Sequence, residues 1–195
     1  MLNTQSTPMP ILRTSAINNQ LLLKAEQLKQ VSLVDQSFKG KFILWGDIKN
    51  SDFNQQILDA TGLTLPLKSG DVSQSGDYLA IWANPKRWYL ICTEQHESEL
   101  AKKLIDSGQV HMSVTDGQCC FHLNGLRSID LLKKGCSLNF DEAIFPSGKC
   151  LQTRLAITKV FLHRHALDSF DIYVERSYGE YIWRWLLDAA QEYAG

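Results

Sequence analysis

Two short runs of apolar residues, each closed by a glycine, set the rhythm of this chain: Phe42-Ile43-Leu44-Trp45-Gly46 and, 79 positions on, Phe121-His122-Leu123-Asn124-Gly125. Each reads as a strand leading into a helical pattern that stops at a second glycine. These patterns cover residues 52–61 before Gly62 and 126–134 before Gly135. Glycine just past a helix end accepts the left-handed conformation at no steric cost. Further along, residues 78–82 and 88–92 read as paired strands across the turn Ala83-Asn84-Pro85-Lys86. In the second half, residues 152–157 and 160–162 lead through a polar turn to a strand over 170–174. Placing Leu90-Ile91-Cys92 on Ile172-Tyr173-Val174, an offset of 82, brings two closing helices into register, 96–106 and 179–193.

Near-constant offsets of this kind predict an internal duplication. The alternative is that two mixed segments of this size resemble each other by chance. Each unit runs strand, helix, strands, helix, which predicts an α+β fold with antiparallel sheet covered by helices on one side. The expected organisation is a tail and lead-in over 1–40, a first unit over 41–110 and a second over 111–195, together forming one compact domain. Residues 1–18, with Pro8 and Pro10 among Ser, Thr and Asn, read as a mobile tail. Residues 21–29 fit either a short helix or an extended segment.

The closing helices differ. In the first, Leu100, Ala101, Leu104 and Ile105 form one stripe opposite Glu99, Lys102 and Lys103. In the second, Tyr181, Trp183, Arg184 and Trp185 stand where the first has Glu99, Ala101, Lys102 and Lys103. Its apolar arc spans roughly 200° at ~100° per residue, about twice what one core contact needs. Aromatic and Arg residues are what interface hot spots favour, so Tyr181, Trp183 and Trp185 are expected at an inter-subunit contact. The competing reading is that the N-terminal segment or the chain's own sheet covers them.

Composition narrows the function. Hydrophobic residues make up 44% of the 195 and charged ones 21%, with 20 basic against 21 acidic side chains and a net charge of −1. That balance gives no basic footprint for nucleic acid and no polybasic membrane anchor. No run approaches the ~20 apolar residues of a membrane span. Five cysteines, an odd number without a Cys-x-x-Cys pair, suit reduced and mostly buried thiols in a cytoplasmic protein. No Gly-x-Gly-x-x-Gly, phosphate loop or Gly-x-Ser-x-Gly elbow is present, so neither a dinucleotide cradle nor a hydrolase nucleophile is expected. His163 and His165, two apart on a strand end, could turn their rings the same way toward a metal, with Asp168 as the nearest further donor. A metal centre needs more ligands than that, and a solvated strand end beside Arg164 is the preferred reading. No catalytic, cofactor-binding or metal residue is therefore assigned.

Three stretches carry a family likeness. They are Gly62-Leu63-Thr64-Leu65-Pro66 with Trp82-Ala83-Asn84-Pro85-Lys86-Arg87-Trp88-Tyr89-Leu90; Val114-Thr115-Asp116 with Phe121-His122-Leu123-Asn124-Gly125 and residues 131–138; and Val174-Glu175-Arg176-Ser177-Tyr178 with Trp183-Arg184-Trp185-Leu186. In order and spacing, over residues 42–190, the chain resembles the gamma subunit of heterotetrameric sarcosine oxidase. Asn84 departs from the glycine usual in that family's hairpin. The resemblance implies a fold akin to the folate-binding domain of glycine-cleavage aminomethyltransferases, in duplicated form. It also implies a non-catalytic role beside alpha, beta and delta chains. The FAD, covalent FMN, NAD, zinc and tetrahydrofolate of the complex are then expected on those partners, which oxidise sarcosine to glycine. The alternative is a free-standing folate-binding protein of the one-carbon transfer or iron–sulfur repair type. For that reading Asp116 would be a folate-site carboxylate rather than a turn residue beside Gly117. Lys134-Gly135-Cys136 is similar to the start of the repair protein's motif, but Ser137-Leu138-Asn139 departs from its continuation. Cys136 is thus read as a small apolar residue near a helix end.

Overall fold

The computed structural model describes residues 13–193. In chain order the elements are α1 (Asn19–Ala25), β1 (Ser32–Asp35), β2 (Gly40–Trp45), α2 (Ser51–Thr61), β3 (Val72–Ser75), β4 (Tyr78–Asn84), β5 (Arg87–Cys92), α3 (Glu97–Asp106), β6 (His111–Ser113), β7 (Gln118–Asn124), α4 (Ser128–Lys133), β8 (Lys149–Leu155), β9 (Thr158–Ala166), β10 (Ser169–Glu175) and α5 (Gly179–Ala190). They make two five-stranded antiparallel sheets, ordered β6-β2-β5-β4-β3 and β1-β7-β10-β9-β8. The fold is α+β.

Strand register reproduces the offsets read from the sequence. Phe42 faces Leu90, which faces Ala80; in the other sheet Phe121 faces Ile172, which faces Leu162. The edge strands add something the alternation did not signal. β1 pairs with β7 and β6 with β2, so the strand leading each unit crosses into the sheet of the other. These leading strands are also 79 residues apart, 32 to 111. The exchange ties the two halves together, and the lead-in is part of the second sheet.

Alternation along each strand splits its residues between two faces. Cys119, Phe121 and Leu123 pack with Ile172, Val174, Trp183 and Leu186 beneath α1, α4 and α5. Phe42, Leu44, Trp88 and Leu90 pack with Phe53, Ile57, Leu100 and Leu104 beneath α2 and α3. The opposite faces meet each other through Leu79, Ile81, Ile91, Cys120, Cys150 and Tyr173. Each sheet thus has helices on one side, as expected, and the second sheet on the other, giving four layers in the order helix, sheet, sheet, helix.

Residues 13–18 correct the expectation of a mobile tail; residues 1–12, on which that reading also fell, lie outside the described residues. Arg13 bonds Glu97 at 2.7 Å and Asp116 at 2.9 Å, and Ile17 is buried. Asn18 then caps α1 by accepting from the Leu21 N–H at 3.0 Å, which settles the 21–29 ambiguity as helix for Asn19–Ala25. The hairpin departure also has a physical account. Asn84 keeps a negative φ and closes the turn with its side chain, accepting from the Lys86 N–H at 3.0 Å.

Candidate functional site

The start of α5 lies against β7 so closely that only glycine fits. A Cβ on Gly179 would stand 2.6 Å from Cys119 Sγ. From there Ile182, Leu186 and Ala190 point into the core. Trp183 does as well, and this corrects its expected place at a subunit contact. It is 0% exposed, its indole N–H donates to the Leu21 carbonyl at 3.2 Å, and its ring meets Phe121 edge-on at 5.1 Å. The physical reason is α1, which lies on α5 and takes up part of its wide apolar arc. Trp185 is half-buried over Gly135, where a Cβ would come within 2.5 Å of the indole. Tyr181 remains exposed at 39%, with Tyr178 at 40% one turn before it and the Glu180–Arg184 pair alongside. The structure therefore divides the three aromatics. One serves the core, one is shared, and one faces solvent.

Between the sheets runs a row of polar groups. His122 on β7, Asp171 on β10 and His163 on β9 are directly opposed, and His165 follows two residues on. His122 Nδ1 lies 2.7 Å from Asp171 Oδ1. His165 Nε2 and Lys39 Nζ each lie 3.0 Å from Oδ2, and the Tyr173 hydroxyl donates to Oδ2 at 3.2 Å. Lys39 is held there by Lys41, which is fully buried and donates to the Ser37 and Lys39 carbonyls at 2.7 and 2.8 Å. Burial would raise the Asp171 pKa. Hydrogen bonds from His122 and His165 and the charge of Lys39 outweigh it and hold the carboxyl well below its usual range. His163 is 3% exposed and its Nδ1 has no hydrogen-bond partner among the described residues. Burial, reinforced by neighbouring His165, pushes its pKa down to about 3, so it is neutral. A cavity of about 150 Å³ opens onto His165, Asp171, Lys39 and Tyr173. Tyr173 also borders a larger cleft of about 620 Å³ lined by Arg87, Tyr89, Gln152, Arg154, Lys159 and Phe161.

The carboxylate beside the histidines is thus Asp171, not Asp168, whose carbonyl accepts from the Gly125 N–H. The repeat alignment held the missing signal. His122 and Asp171 occupy the places of Ile43 and Tyr89 in the first unit, so each is a polar departure from an apolar twin. Asp116 sits in a short turn with its side chain 70% exposed and ion-paired to Arg13, which is a surface position. Cys136 is buried beside Thr153 Oγ1, and the other four cysteines are buried too. The strand–glycine–helix junctions do not fit a pyrophosphate. The Gly46 N–H donates to the Lys86 carbonyl, while Phe53 and the Gln30 backbone fill the space at Gly46 and Gly125.

A family model described as the sarcosine oxidase gamma subunit family matches residues 45–192. The chain belongs to that family. It is 28% identical over 144 residues to sarcosine oxidase subunit gamma of Corynebacterium sp. (strain P-1), covering 71% of this chain and 70% of that one. Against the same subunit of an Arthrobacter sp it is 27% identical over 141 residues, with 69% and 68% covered. Its fold is that of a chain of the heterotetrameric sarcosine oxidase from Corynebacterium sp. U-96 in complex with pyrrole 2-carboxylate. The TM-score is 0.82 at 21% identity, over 94% of this chain and 97% of that one. Glycine cleavage system aminomethyltransferase T from Bartonella henselae shares the fold at a TM-score of 0.59 and 13% identity, over 86% of this chain and 48% of the transferase. None of these matches supports a free-standing folate-binding protein.

Placed in the structure, the stretches that carry the gamma-subunit likeness are packing elements. Gly62 ends α2 in the left-handed conformation at φ 70°, and Leu63 and Leu65 turn into the core. The Pro66 carbonyl then accepts the indole N–H of fully buried Trp88 at 2.8 Å, joining the Gly-Leu-x-Leu-Pro run to the hairpin. Burying that Trp contributes on the order of 2–3 kcal/mol. No helix among the described residues is long and apolar enough to cross a membrane.

Proposed function

We propose that the chain is the non-catalytic gamma subunit of a cytoplasmic sarcosine oxidase complex, in which it stabilises or assembles alpha, beta and delta chains. The complex converts sarcosine to glycine by oxidative demethylation linked to tetrahydrofolate. FAD, FMN, NAD, zinc and the folate belong to the partner chains. The observation that carries this reading is the family match over residues 45–192, and the end-to-end likeness to a chain of a heterotetrameric sarcosine oxidase supports it. The junctions closed by Phe53 and Gln30 support it from inside, because they leave no cradle for a flavin pyrophosphate.

The contact surface centres on Tyr181 and the exposed part of Trp185, flanked by Tyr178. Exposed tyrosines beside an Arg on a rigid helix suit a hot spot, since they add contact area at little conformational cost. The test is co-expression with the alpha, beta and delta chains of a sarcosine oxidase, followed by purification through this chain. Flavin absorbance is expected in the complex and none in this chain purified alone. A chain that never co-purifies with flavin-bearing partners, or that binds flavin by itself, overturns the proposal.

A further inference from the structure

We propose that His122, His165 and Asp171 form a site for one divalent transition-metal ion in the gap between the two sheets. One donor atom from each of the three lies within 4.8 Å of the other two. The zinc-like bond length of about 2.0–2.2 Å separates tetrahedral donors by roughly 3.4 Å, within the range the site already spans. Two imidazoles and one carboxylate suit Zn²⁺, Co²⁺ or Ni²⁺ rather than the hard Mg²⁺ or Ca²⁺.

Three further observations point to a ligand. Asp171 is buried with both oxygens oriented, Oδ1 toward His122 and Oδ2 toward His165, which fixes a carboxylate between two imidazoles. His163 stands next to the triad, its ring 4.0 Å from that of His165 and its buried Nδ1 unpartnered, a free nitrogen beside the three-donor cluster though not part of it. The cavity of about 150 Å³ has room for a water to complete the shell. The fold does not demand this chemistry. At the equivalent places in the first unit stand Ile43, Ile81, Ala83 and Tyr89, and that sheet forms with the same register.

Lys39 sets the terms of binding. Its ammonium lies 3.0 Å from Asp171 Oδ2, and its side chain is 28% exposed. An entering ion takes that carboxylate oxygen and sends the lysine into solvent. Metal and Lys39 therefore compete, and the affinity is the balance between them. The inference stands on the donor set alone and is independent of the subunit reading.

The test uses the untagged full-length chain with Co²⁺ as an optical probe, and equilibrium dialysis to count ions. One Co²⁺ per chain is expected, with visible d–d bands and no thiolate charge-transfer band. His122→Ile, which installs the twin's residue, and His165→Ala should each weaken binding at least tenfold. Lys39→Gln should tighten it about tenfold, the opposite of what loss of a merely structural ion pair would do. Zn²⁺ should raise the melting temperature of the wild type and not of His165→Ala. Absence of stoichiometric Co²⁺ in both the wild type and Lys39→Gln overturns the proposal, as does binding that survives the His122→Ile/His165→Ala double variant.

Discussion

The two halves share a scaffold down to the strand register and use it in opposite ways. On the inner face, Ile43, Ile81 and Tyr89 of the first unit correspond to His122, His163 and Asp171 of the second. On the outer face, α3 buries only Leu100 and Leu104 and leaves Ile105 65% exposed. Helix α5 buries Ile182, Trp183, Leu186, Leu187, Ala189 and Ala190. Much of that difference is α1, which covers α5 and has no counterpart over α3 among the described residues. The lesson is that a wide apolar arc is an interface signal only after the chain's own covering elements are subtracted. Here the subtraction removes Trp183 and leaves Tyr181.

Substitutions at twin positions test how differently the two halves use the scaffold. The largest effect is expected from Trp183→Ala, which empties the contact with α1 and should cost about 3–5 kcal/mol in chemical denaturation. Its twin Ala101→Gly should cost only about 1 kcal/mol, by helix propensity. Equal losses at the two sites would refute the unequal covering. Next comes Gly125→Ala, at φ 127° with the Gln30 carbonyl oxygen 2.5 Å and the Val31 Cα 2.9 Å from the added Cβ; both are backbone atoms, which leaves no relief. A loss of ~3 kcal/mol is expected.

His163→Ile transfers the first unit's residue to the second and should flatten the pH dependence of stability. The folded His163 pKa is lowered to about 3, while the unfolded group titrates near ~6.5. Between those values the unfolded chain alone takes up this proton. Wild-type stability therefore falls as pH drops below ~6.5, by at most about 1.4 kcal/mol per unit, and is flat with respect to this group above it. Melts between pH ~4.5 and ~6.5, where Asp171 is ionised folded or unfolded, isolate the effect. A wild-type slope unchanged in His163→Ile would contradict it. Tyr181→Ser should weaken assembly about tenfold while shifting the fold by under ~0.5 kcal/mol. Least of all, Glu99→Gln and Glu180→Gln, which break one surface pair in each helix, should leave the denaturation midpoint unchanged.

Much of this was legible in the chain. The strands around Phe42, Leu90, Phe121 and Ile172 announce themselves by alternation, and their offsets survive as register. The strands β1, β3 and β6 did not, because segments of three or four residues are too short to carry a period and are held by their neighbours. Their exchange between units is a tertiary fact that no local window contains. The histidine row was half visible. His163 and His165 share a strand, whereas His122 and Asp171 join them only across the ladder. Asp168 was favoured by sequence proximity, yet its side chain lies outside the cluster that pairing creates.

Hydrogen–deuterium exchange on the free chain and the assembled complex reads the outer face of α5, the proposed contact surface, directly. Protection on assembly is expected across residues 176–188, with α3 unchanged. Protection at other elements, while residues 176–188 exchange alike in both states, would contradict it.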